Sequence, residues 1–234
     1  MKIENTDIMG IPSIILGEDA ENAYLFIHGK NGCKEEALQF ADIACPKGFQ
    51  VVGIDLPEHG SRKNGKEKLL PWVAAPEIRD VFECMSQRWR NIGIRANSIG
   101  AWLSMQALGD KKIGKALFVS PVVDMENLIE NMMTWAGVTE SDLKQKREIQ
   151  TGFGETLSWD YLCWVREHKA AWSAPTEILY AEKDNLTSRE VIDAFAKTSK
   201  SRITLAENCE HWFHTREQLE ILREWEERYV VFGN

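Results

Sequence analysis

Three side chains of types that together perform acyl transfer each follow closely on an apolar run of the sequence. Ser98 closes "IGIRANS" (92–98), Asp184 closes "TEILYAEKD" (176–184), and His211 comes just after "SRITLAENC" (201–209). A serine hydroxyl is a weak nucleophile until an imidazole takes its proton during attack. The imidazole needs a carboxylate at its other nitrogen, which fixes the tautomer and stabilises the imidazolium. Taken alone, Ser98 has a plainer explanation, because serine caps helices well and the helical pattern "IGAWLSMQAL" follows it. Its neighbours are small, however. Ala96-Asn97-Ser98-Ile99-Gly100 comes close to G-x-S-x-G, the tight strand-to-helix turn that presents a nucleophile.

Bringing three such residues together requires a sheet whose strands end side by side. "AYLFIHG" (23–29), "FQVVGIDLP" (49–57) and "KALFVSP" (115–121) join the runs above as near-continuous apolar segments, the pattern of strands buried on both faces. Helical stretches separate them. In "PEIRDVFECMSQRW" (76–89), Ile78, Val81, Phe82, Met85 and Trp89 share one face, and Pro76 suits a first turn. Alternating strands and helices predict an α/β fold, a mostly parallel central sheet with helices on both faces. Ligands bind such sheets at the carboxyl ends of the strands. The short runs around "MGIPS" predict an N-terminal hairpin.

Residues 122–174 break the alternation. A crossover helix needs only about a dozen residues. The excess, with no convincing strand, predicts a helical cap inserted into a single domain spanning 1–234. Trp135, Trp159 and Trp164 in the insertion, with Trp212 beyond it, are candidate walls of a substrate pocket or mini-core packing.

Composition narrows the partners. The chain is 44% hydrophobic and 27% charged, as globular proteins are, and its net charge of −8 without a basic block argues against nucleic acid. Cys33, Cys45, Cys84, Cys163 and Cys209 are odd in number and form no C-x-x-C pair, so they read as reduced thiols. No apolar run is long enough for a membrane span or a signal segment, which predicts a cytoplasmic protein. A homodimer is compatible with the sequence but not required by it.

The motifs together resemble the α/β-hydrolase superfamily over nearly the whole chain. "HGKNG" (28–32) resembles its oxyanion loop, "DLPEHGS" (55–61) its D-x-x-G-H-G-x-S loop, "ANSIG" its nucleophile elbow, "YAEKD" its acid turn and "CEHWFH" its histidine loop. Ser98, Asp184 and His211 also follow the chain order of that superfamily's triad. Two positions depart from the pattern: Ala96 replaces the first elbow Gly, and Glu58 stands where a Gly precedes "HG". The resemblance implies a serine hydrolase cleaving a small or medium carboxylic ester through an acyl-enzyme, with no metal or organic cofactor. It implies oxyanion donors at the backbone N–H groups of Lys30 and Ile99, supported by His28, Gly29, Asn97, Gly100 and His59. Thioesterases, amidases, peptidases, C–C hydrolases and non-catalytic ligand-binding members share these motifs.

Each catalytic position has a rival. His214 lies three residues after His211, but the histidine-loop resemblance favours His211, and no third ligand stands in register for a metal. Asp124, at the end of the preceding strand, competes with Asp184, and Glu182 and Asp193 are lesser candidates. Ser120 ends a strand but lacks the Gly-bounded turn, and Ser61, in the second loop, reads as a loop hydrogen-bonder. His168 reads as a surface helix residue.

Overall fold

Val, Ile, Leu and Phe dominate the apolar runs, and all six form strands. The computed structural model describes residues 1–232. The hairpin β1 (Ile3–Ile8) and β2 (Ile11–Leu16) turns through Met9 and Gly10, both of positive φ. There follow β3 (Asn22–Ile27), α1 (Ala37–Ala44), β4 (Phe49–Ile54), α2 (Pro71–Arg88), β5 (Asn91–Asn97), α3 (Ile99–Leu108) and β6 (Ala116–Val119). The insertion holds α4 (Met125–Ala136), α5 (Glu140–Lys146), β7 (Glu148–Gln150), β8 (Thr156–Ser158) and α6 (Trp159–Glu167). The chain closes with β9 (Thr176–Lys183), α7 (Arg189–Ser199), β10 (Arg202–Glu210) and α8 (Arg216–Tyr229).

The eight-stranded sheet has the order β1-β2-β4-β3-β5-β6-β9-β10. β2 runs antiparallel to β1 and β4, and the remaining pairs are parallel. One face packs against α2, α3 and the insertion through residues such as Ile78, Phe82, Leu103 and Phe118. The other packs against α1 and α8 through Tyr24, Phe40, Val51 and Trp225. Because β3, β5, β6 and β9 run in one direction, their carboxyl ends meet along one edge.

Two expectations need correction. The helix expected at 76–89 begins five residues earlier: Pro71 occupies the first turn, and Pro76 lies inside α2. A proline there forgoes one backbone hydrogen bond. The insertion is also not wholly helical, because β7 and β8 form a two-stranded hairpin. Its turn is held by Thr151, whose N–H donates to the Glu155 carbonyl at 2.8 Å, and by Gly154 at φ +88°. Strands of three residues are too short to show a period.

All five cysteines are free thiols. Among the described residues no helix is long and apolar enough to cross a membrane.

Candidate active site

Ser98 connects β5 to α3 with φ +48° and ψ −119°, a conformation rarely adopted by a residue with a side chain. Its backbone is clamped on both sides, N–H to the Val119 carbonyl at 3.0 Å and carbonyl to the Val122 N–H at 3.1 Å. Its hydroxyl makes no capping bond to α3. Instead Ser98 Oγ lies 2.8 Å from His211 Nε2. Capping therefore does not explain the serine.

His211 Nδ1 lies 2.8 Å from Asp184 Oδ2. The other carboxylate oxygen, Oδ1, accepts the N–H groups of Leu186 (2.8 Å) and Thr187 (3.0 Å). The Asp184 side chain is fully buried, so its orientation is set by these bonds. A register irregularity between β9 and β10, at Ala206 to Glu210, precedes His211. Such bulges re-aim side chains at sheet ends.

The elbow residues explain the small-residue pattern. A Cβ on Gly100 would meet the His28 carbonyl at 2.5 Å and the Ile27 carbonyl at 2.8 Å, so nothing larger fits. Ala96 departs from the usual glycine without penalty, because it sits as an ordinary strand residue between Ile27 and Phe118. Glu58 takes the other glycine position at φ +64°. Its carboxylate bonds the Leu69 N–H (2.8 Å) and Lys68 (2.9 Å), contacts a glycine could not make.

The backbone N–H groups of Lys30 and Ile99 have no acceptor among the described residues. Ile99 is the first residue of α3, where an N–H is normally left over. The loop bearing Lys30 is braced by His28, whose Nδ1–H donates to the Gly29 carbonyl (2.7 Å) and whose Nε2 accepts the Leu56 N–H (3.1 Å). Burial lowers the His28 pKa to about 4, so the ring is neutral near pH 7. His59 is buried against it, ring centroids 5.1 Å apart, with Nδ1 donating to the Pro57 carbonyl. Between these loops Asp55 accepts the Lys34 N–H, the Ser61 N–H and the Lys34 ammonium. Burial alone would raise the Asp55 carboxyl, but these donors outweigh it and hold it below the usual carboxylate range.

The rivals lie elsewhere. His214 is exposed and bonds the Trp212 carbonyl. It precedes α8, whose cap is Thr215. Asp124 caps α4, Glu182 accepts the Asn208 N–H, and Asp193 pairs with Arg189. Ser61 Oγ accepts from Lys34. Ser120 Oγ is buried without a partner. His168 is exposed at the end of α6 and stacks on Trp164.

A cavity of about 1470 Å³ opens over Ser98 and His211. Gly29, Lys30, Asn97, Ile99, His59, Trp135 and Trp212 line it. Trp159 and Trp164 do not, which corrects their assignment. Trp164 packs between Trp72 and Trp102, at 6.2 and 6.1 Å between ring centroids, and Trp159 lies under the Lys144 ammonium. Tyr161 and four α4 residues, Met125, Leu128, Ile129 and Met132, take that place. The α4 residues stand at i, i+3, i+4 and i+7, a helical stripe present in the sequence but masked by the larger tryptophans. No group of three potential metal ligands stands together among the described residues.

Solved structures share this arrangement of strands and helices. The match to Est1E from Butyrivibrio proteoclasticus, solved with ferulic acid bound, covers 97% of each chain at 18% identity and TM-score 0.73. A putative hydrolase from Agrobacterium vitis S4 matches over 99% of this chain and all of its own, at 14% identity and TM-score 0.76. The chain has the α/β-hydrolase fold. The Pyrococcus furiosus esterase Pf2001 fits the same fold over 99% of this chain and 89% of its own, at 16% identity and TM-score 0.70. No protein-family model and no curated protein sequence matches the chain. β5, β9 and β10 deliver Ser98, Asp184 and His211 to the carboxyl edge of the sheet.

Proposed function

We propose that the protein is a serine hydrolase that cleaves carboxylic esters through an acyl-enzyme at Ser98. The observation that carries this reading is the continuous chain Asp184–His211–Ser98, with both links at 2.8 Å. His211 Nε2 takes the Ser98 proton as Oγ attacks the ester carbonyl, and Asp184 holds the ring and stabilises its charge. The N–H groups of Ile99 and Lys30 bind the oxyanion, with the N-terminus of α3 adding a favourable dipole. His211 then returns the proton to the leaving alcohol, and water repeats the sequence to release the acid.

In this reading residues 122–174 are the cap, and the α4 stripe holds the acyl chain. The apolar wall favours an alkyl or aryl acyl group over a charged one. Steady-state rates on matched ester, thioester, amide and β-diketone substrates test the bond class. Ester turnover that disappears in Ser98→Ala supports the proposal. Faster turnover of the thioester, amide or diketone would reassign the substrate within the same chemistry, and no turnover of any would make the cavity a binding site only.

A further inference from the structure

The cavity at Ser98 has two unlike halves. One lies under α4, lined by the apolar stripe Met125, Leu128, Ile129 and Met132 together with polar residues of the β7–β8 hairpin such as Gln150 and Thr156. The other lies on the opposite face of the sheet, between the start of α1 and α8, and is walled by Glu36, Gln39, Arg95, Asn97 and Glu226. Strand alternation sends Ile94 and Ala96 to one face of β5 and Arg95 and Asn97 to the other.

Arg95 is an unusual residue to find in a central strand. It is 2% exposed, Nε donates to Glu226 Oε1 at 2.7 Å, and Nη1 donates to Asn97 Oδ1 at 2.6 Å. Nη2 has no acceptor among the described residues. The unpartnered side-chain polar atoms sealed inside the protein are Ser120 Oγ and Trp225 Nε1, so Nη2 is open to the cavity that Arg95 lines. Glu36 faces the same space. Its Oε1 lies close to Gly32, where an added Cβ would meet it at 2.6 Å. Burial pushes the Glu36 carboxyl up, with Cys33, Arg95 and Asn97 partly offsetting it.

Charge decides what fits. Glu226 already pairs with Arg95, and Glu36 adds a further carboxyl acceptor, so an anionic group finds no uncompensated positive charge there. A cationic group would meet the open edge of the guanidinium. A neutral group that both donates and accepts satisfies both, and hydroxyls do so. The wall beyond is Phe213, Leu219 and Leu222, on the chain that continues from His211 into α8.

We infer that this polar chamber receives the hydroxylated alcohol part of a polyol ester, Arg95 Nη2 donating to one hydroxyl and Glu36 accepting from another. The inference rests on the ester-hydrolase reading above. Ser98 Oγ bonds the carbonyl carbon as its proton passes to His211, the bond from that carbon to the polyol oxygen breaks, and the polyol leaves with the proton.

Glycerol monobutyrate and propyl butyrate share one acyl group and one alcohol skeleton, and differ by two hydroxyls. Calorimetry on Ser98→Ala should give binding of the glycerol ester about tenfold tighter, and the wild type should show a similar ratio in kcat/KM. The ratio should fall to about threefold in Glu36→Leu, which leaves the Arg95 donor in place, and persist in Glu36→Gln, which keeps an acceptor oxygen, with circular dichroism confirming the fold of each. Equal binding of the two esters, binding of neither, or a ratio undiminished in Glu36→Leu overturns the chamber assignment, even where both esters are hydrolysed. Preferential binding to Ser98→Ala with no wild-type hydrolysis of either ester would instead overturn the hydrolase reading and leave the chamber standing.

Discussion

His28 Nε2 accepts the Leu56 N–H at 3.1 Å, so one neutral imidazole ties the loop after β3 to the loop after β4. Burial lowers its pKa to about 4, against about 6.5 in an unfolded chain. Between those values the unfolded state binds the extra proton, so this contribution is complete above pH 6.5 and is lost as pH falls towards 4. The slope approaches about 1.4 kcal/mol per pH unit inside that window. Urea unfolding of wild type and His28→Gln should show the difference in stability shrinking as pH falls from 7 to 4.5. A difference independent of pH would mean that the ring is not held neutral.

Removing triad members should have unequal effects. In a serine protease, losing the serine or histidine costs about a million-fold in turnover, while losing the acid costs roughly 30-fold to 100-fold less. His211→Ala should therefore be nearly as damaging as Ser98→Ala, and Asp184→Asn severe but milder. His214→Ala and Asp124→Asn should keep most activity. Ester hydrolysis rates on variants shown to be folded check the ranking, and a dead His214→Ala beside an active His211→Ala would move the base.

Gly100→Ala should destabilise the protein by about 2 kcal/mol or more, since overpacking typically costs 1–3 kcal/mol and here both obstacles are backbone carbonyls. Thermal unfolding measures this directly. A melting temperature equal to wild type would show that the elbow and the His28 loop can separate.

The α4 stripe should set acyl length. Met132→Trp adds bulk inside the cavity and should shift preference among p-nitrophenyl esters towards shorter chains. Trp164→Phe, which alters packing against Trp72 and Trp102, should leave the chain-length profile in place. Profiles changed by Trp164→Phe but not by Met132→Trp would return the pocket to the tryptophans.

The strand ends and the Ser98–Asp184–His211 order were legible because each strand announces itself by a local apolar run and each candidate sits within two residues of its end. The α4 stripe was equally legible by spacing, but size drew attention to Trp159 and Trp164, which lie outside the cavity. β7 and β8 were not legible, since three residues cannot display an alternation. Nor was the Arg95–Glu226 pair: Arg95 interrupts an apolar strand, Glu226 sits in a highly charged helix, and nothing local joins positions 131 residues apart. The Lys30–Glu155 ion pair, which links the loop after β3 to the β7–β8 hairpin, was hidden for the same reason.

Intact-mass spectrometry of the folded protein after treatment with a fluorophosphonate tests the central claim most directly, because the reagent captures only a serine activated by its neighbours. One adduct per chain should form on the peptide containing Ser98, be absent from Ser98→Ala, and form far more slowly on His211→Ala. An unlabelled wild-type protein, or an adduct on Ser61 or Ser120 with Ser98 unmodified, would contradict the assignment of Ser98 as the nucleophile.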